Sequence, residues 1–160
     1  MYKYFICLVS ISSYEGADYV VGIFDDLSLA TTAKEAFVNS LTSAEEQFIN
    51  IVSTDDKNTN VIKEPKVVEY KSLCQLLSPI YITSIFNEGF GQIYRKIDSI
   101  LDSKEAAQLK IKALELKAEE ITPSFPEYFS LEKLEINQLN RQSISQWLEH
   151  DYFGDDDYLV

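Results

Sequence analysis

The stretch from Tyr2 to Leu41 constrains the fold more than any other, because it reads as strand, turn, strand and helix in succession. Residues Tyr2 to Ile11 are β-branched and aromatic with a single charge, Lys3. Tyr2, Tyr4, Ile6 and Leu8 fall on one side of a pleat, and Phe5, Cys7, Val9 and Ile11 on the other. A strand apolar on both faces belongs in the middle of a covered sheet. Ser12 to Asp18 carries turn chemistry, and Tyr19 to Phe24 is a second strand. Asp25, Asp26 and Ser28 then offer N-caps for a helix whose apolar residues Ala30, Ala33, Phe37 and Leu41 keep helical spacing.

Further along, Ser43 to Glu46 has the S-x-x-E spacing of a capping box, with Phe48, Ile49 and Val52 on one face of a short second helix. Ser53 to Asn60 reads as a solvated loop without calcium-loop spacing, and Val61 to Lys71 as an extended, edge-type segment broken near Pro65. Leu73, Leu76, Leu77, Ile80 and Ile85 predict helical turns interrupted at Pro79. After a break at Asn87-Glu88-Gly89, the spacing of Phe90, Ile93, Tyr94, Ile97 and Leu101 predicts another helix. Asp102 with Glu105 opens the strongest helix, Ser103 to Ile121. It carries one apolar stripe through Ala107, Ile111, Leu114, Ala118 and Ile121, and a second through Ala106, Leu109, Ala113 and Leu116. Thr122 to Ser130 reads as a linker, with short helical turns expected at Leu131, Leu134 and Leu139 and again from Ser143. No internal repeat shows in the sequence. The expected fold is therefore one α/β (α+β) domain over residues 1–160. Its small antiparallel or mixed sheet comes from the first half and packs against several helices, and an acidic, aromatic segment follows from about residue 143.

Charge narrows the partners. The chain has 26 acids against 14 bases, a formal net charge of -12, which disfavours direct binding to nucleic acid or to anionic membrane surfaces. The acids concentrate at the two ends, with a neutral stretch over residues 61–121 between them. Were the ends to meet in space, they would form one strongly negative surface suited to a basic protein. Cys7 and Cys74 lie too far apart for a metal knuckle or redox pair and sit among apolar neighbours, so both are expected as buried free thiols. With no leader-like start or membrane-length apolar run, a cytoplasmic chain needing no metal or cofactor is expected.

Catalytic constellations do not appear: there is no phosphate-cradling G-x-x-x-x-G-K-[ST], no G-x-S-x-G, no C-x-x-C and no H-E-x-x-H. Gly89-Phe90-Gly91 is a lone G-x-G, and His150 is the sole histidine. Asp25 and Asp26 follow a strand, where carboxylates can serve catalysis, yet helix capping accounts for them.

Near the C-terminus, Trp147, Tyr152, Phe153 and Tyr158 interleave with Glu149, Asp151, Asp155, Asp156 and Asp157. Aromatic anchors among carboxylates suit a basic protein surface, which makes these nine residues the candidate partner-binding set. Glu15, Asp18, Asp25 and Asp26 form a second candidate set. A small acidic α/β chain with this interleaving resembles the immunity proteins of bacterial toxin–immunity systems, including contact-dependent inhibition. Tyr4 to Leu41, with Val21-Gly22-Ile23-Phe24 leading through Ser28 and Ala33 to Ala36-Phe37, also looks like small bacterial domains with a β-β-α start. The first resemblance implies a non-enzymatic inhibitor of a basic cognate toxin, often a nuclease. An acidic nucleic-acid mimic directed at a DNA-binding enzyme, or an enzyme of another type, are the alternatives.

Overall fold

The computed structural model describes residues 1–10, 18–40, 51–54, 59–62, 66–89, 92–121 and 127–140. Its elements run β1 (Tyr2–Ser10), β2 (Asp18–Phe24), α1 (Leu27–Asn39), β3 (Ile51–Thr54), β4 (Thr59–Ile62), β5 (Lys66–Ser72), β6 (Ile80–Gly89), β7 (Gln92–Leu101), α2 (Lys104–Ile121) and β8 (Glu127–Leu134). The opening unit forms as its residues dictate. β1 is the central strand of a sheet ordered β2-β1-β5, antiparallel on both sides. Phe37 and Ala30 of α1 are buried, and Asp26 is the N-cap, its carboxylate accepting from the Leu29 N–H at 3.1 Å.

A second sheet, ordered β7-β6-β8 and also antiparallel, overturns much of what the spacing predicts for the later chain. Ile80 to Leu101 is a β-hairpin in place of two helices, and Gly89 pairs with Gln92 at its tip, so the lone G-x-G opens no helix. The cause is a β-bulge. Ser84 pairs with Ile97 while Thr83 pairs with Ser99, leaving Asp98 as the extra residue. Arg95, Ile97 and Ile100 therefore share a face, and the three-residue step after Ile97 imitates a helix turn. Glu127 to Leu134 is a strand in place of a linker and helix. Leu131 and Leu134 point to opposite faces and are both buried, as befits a strand covered on both sides. Ile51 to Thr54 and Thr59 to Ile62 form a two-stranded ribbon, so Val52 and Ser53 belong to one strand and Asn60 to the other, while residues 55–58 lie outside the described residues. Ser43 to Asn50 and the segment from Ser143 lie outside the described residues.

The sheets face each other. Tyr4, Ile6, Leu8, Val20 and Ile23 of the first meet Ile80, Ile82, Ile100 and Leu134 of the second, with Leu76 joining from the loop between. α1 packs on the outer face of the first sheet, against β1 and β2. α2 packs on the outer face of the second, Ala107 and Ile111 burying against Tyr81 and Leu131. The fold is thus a mixed α+β arrangement of four layers, with one described helix from each half of the chain. The first α2 stripe is covered from Ala107 to Ala118, whereas its last residue, Ile121, is exposed, as are Leu109 and Leu116 of the second.

Topology reveals a repeat that composition conceals. In β1-β2-α1-β5 and in β6-β7-α2-β8 the first strand is central, the second lies on one side, and the last returns on the other. Both central strands carry a register shift, at Cys7/Leu8 and at Thr83/Ser84. Each helix follows its strand through a polar pair, Asp25-Asp26 or Asp102-Ser103. The second cap is Ser103, whose Oγ accepts from the Ala106 N–H at 3.2 Å, rather than Asp102. Each unit's trailing segment also reaches the other unit. The Leu77 N–H donates to the Asp102 carboxylate at 3.1 Å, and the Asp25 N–H to Asn137 Oδ1 at 3.0 Å.

The two thiols differ. Cys7 is buried beneath α1, whereas Cys74 is exposed in the loop after β5, contrary to its apolar surroundings in sequence. Burial pushes the Cys7 thiol from 9.0 up to about 11, partly opposed by the charge of Lys34. One of the two thiols should therefore react readily with a disulfide reagent in the folded protein, and Cys74→Ser should abolish that reaction. Because the folded state holds the Cys7 proton more tightly than the unfolded chain, stability should fall as pH rises from 9.0 towards about 11. Cys7→Ala should flatten that part of the profile in chemical denaturation.

Candidate partner-binding surface

β2 would be a bare sheet edge but for the chain that follows β8. Residues Asn137 to Asn140 run along it, the Asn137 N–H donating to the Ile23 carbonyl at 2.8 Å and the Asn140 N–H to the Val21 carbonyl at 2.6 Å. The Asn140 side-chain amide adds a bond to the Val20 carbonyl at 3.1 Å. Val21 and Ile23 are two apart, so their outward carbonyls are the ones a neighbouring strand would use. An edge that could pair with another chain is thereby occupied.

Two residues make this strap possible. Asn137 has φ 66°, a left-handed conformation that asparagine tolerates better than most residues. From there its side chain accepts the Asp25 N–H. Gly22 lets the strap approach, because a Cβ there would lie 2.7 Å from the Gln138 carbonyl oxygen and 2.9 Å from the Phe24 ring. Upstream, the Ile136 N–H donates to Ser78 Oγ at 2.7 Å. Asn137 did not stand out in sequence, and Gly22 entered only within Val21-Gly22-Ile23-Phe24, although a glycine inside a strand is a recognised sign of close backbone approach.

The strap also touches the described acids of the second candidate set. Asp25 and Asp26 are exposed at the end of β2, and Asn137 is hydrogen-bonded beside them. From there the strap runs towards the start of β2, where Asn140 is bound at Val20 and Val21. Asp18 opens β2 opposite Ser10. Glu15 lies outside the described residues, as do Trp147, Glu149, Asp151, Tyr152, Phe153, Asp155, Asp156, Asp157, Tyr158 and His150. Of the candidate carboxylates with described side chains, Asp26 spends one oxygen on its cap and Asp25 presents its carboxylate to solvent.

Away from this surface, a polar cluster missed in sequence lies on the inner face of the second sheet. Arg95 and Glu132 form an ion pair at 2.9 Å with side chains 1% and 2% exposed. Arg95 Nε and Nη2 each donate to Ser84 Oγ at 3.0 Å, and the guanidinium stacks 5.5 Å from the Phe86 ring centre. Such groups serve structure, because solvent does not reach them. Among the described residues, no group of three or more His, Cys, Asp or Glu could hold a metal ion, and no helix is long and apolar enough to cross a membrane. No family model, curated protein or solved structure matches this chain.

Proposed function

We propose that this chain is a non-enzymatic immunity-type inhibitor that binds a basic protein, such as a cognate toxin domain, from the cytoplasmic side of a toxin–immunity pair. The observation carrying this reading is the strap. It holds Asn137 against Asp25 and Asn140 against Val20 and Val21, which ties the chain to the β2 edge shortly before the acidic, aromatic stretch of the sequence begins at about residue 143. In this reading the two acidic ends of a chain with net charge -12 act together as one surface. Carboxylates grouped in this way steer a positively charged partner to the surface, and aromatic side chains among them supply the desolvated contacts that slow release.

The test uses a basic protein recovered on the immobilised chain at low salt. Its association rate should fall steeply as salt rises, because long-range steering is screened over ~10 Å at 0.1 M. Converting Asp155, Asp156 and Asp157 to Asn should slow association. Trp147→Ala or Tyr152→Ala should speed dissociation by about 30-fold, equivalent to about 2 kcal/mol. Asp25→Asn should slow association if the two ends act together. Deleting everything after Gln142 with no change in rate or affinity would move the site to Glu15, Asp18, Asp25 and Asp26. Salt-independent association would defeat the electrostatic reading.

A further inference from the structure

The sheet edges are treated unequally. The strap occupies β2, and β8 buries Leu131, Glu132 and Leu134. β5 instead exposes Lys66, Val68, Glu69 and Lys71, and among the described residues no strand lies on its far side. A charged edge often repels other strands. That device depends on meeting like charge, whereas β5 carries opposite charges two residues apart on one face. Glu69 sits 3.8 Å from Lys71 of its own strand and 3.7 Å from Lys3 of β1. These pairs are exposed and contribute little where they are, so they re-partner at small cost.

The geometry points to a homodimer formed edge to edge through β5, with a two-fold axis at Tyr70. An antiparallel pairing in that register sets Glu69 opposite Lys71 of the second copy and Lys71 opposite its Glu69. Tyr70 then lies against Tyr70, and Val68 against Ser72, the last residue of β5. The two three-stranded sheets become one sheet of six. Shifting the two-fold axis to Glu69 would place like charges directly across from each other, so charge complementarity selects the register. A single strand pair buries less than the ~1,200 Å² of most stable complexes, so the dimer is weak and forms only at high protein concentration.

Sedimentation velocity across a concentration series tests this. The wild-type mass should rise from 18.3 kDa towards twice that value. Glu69→Lys and Lys71→Glu, each checked for folding by circular dichroism, should each weaken self-association by about tenfold or more. Carrying both substitutions on one chain should restore it, and mixing the two single variants should give a heterodimer. A mass that stays at 18.3 kDa throughout would overturn the proposal. So would a dimer indifferent to these exchanges but lost on Leu109→Glu or Leu116→Glu, which would assign the contact to α2.

Discussion

Replacing Glu132 by alanine is expected to lower the unfolding free energy by about 3–5 kcal/mol, because Arg95 would be left charged and desolvated between the sheets. With side chains 1% and 2% exposed, neither partner can turn to water without the sheets separating. Arg95→Ala should cost a similar amount, since it removes the positive charge 2.9 Å from the buried Glu132 carboxylate and also both donors to Ser84. The double replacement Arg95→Met with Glu132→Leu behaves differently. It removes both charges together, and its stability should lie close to wild type or above it. Urea titration of the three variants separates the cost of an orphaned charge from the worth of the pair. Equal losses for single and double variants would mean that packing, rather than charge, dominates the cluster.

Gly22→Ala is the second large effect. The added methyl would sit 2.7 Å from the Gln138 carbonyl oxygen and 2.9 Å from two Phe24 ring atoms. Real Cβ atoms do not approach so closely, so either the strap lifts or the Phe24 ring moves. Phe24 is buried, which leaves the strap as the part that yields. The expected loss is about 1–3 kcal/mol, the usual range for overpacking. Amide exchange should quicken at Asn137 and Asn140 well before it quickens within β1. If β1 and the strap lose protection together, the strap is part of the global unfolding unit.

The first unit could be read from sequence because its signals agree at each level. Alternating apolar residues, turn chemistry and a capped helix all point the same way from Tyr2 to Leu41. β6 and β7 resisted reading for a specific reason. The bulge at Asp98 turns a two-residue period into a three-residue step, and Leu73, Leu76, Leu77 and Ile80 happen to match a helix although only Leu76 and Ile80 are buried. The same step occurs in β2, where Val20 and Ile23 share the inner face, but strong β propensity around it kept the strand visible. Thr122 to Ser130 holds two prolines, which hid the start of β8. Of the candidate site, Asp25 and Asp26 were placed correctly at the start of α1, whereas Asn137, Asn140 and Gly22 act through contacts between residues far apart in sequence. No local pattern announces a pairing between Val20 and Asn140, which are 120 residues apart.

That separation matters during synthesis. Chains emerge from the ribosome at ~5–20 residues per second, N-terminal portion first. β1 and β2 are therefore available long before the residues that occupy the β2 edge. Throughout that interval the outward carbonyls of Val21 and Ile23 face solvent, or any other nascent strand nearby. The Tyr4 hydroxyl likewise waits for the Leu76 N–H, 72 residues downstream. Protection of this edge thus arrives late in translation, and the rate of elongation through residues 80–140 sets how long a half-made molecule stays open to wrong pairing.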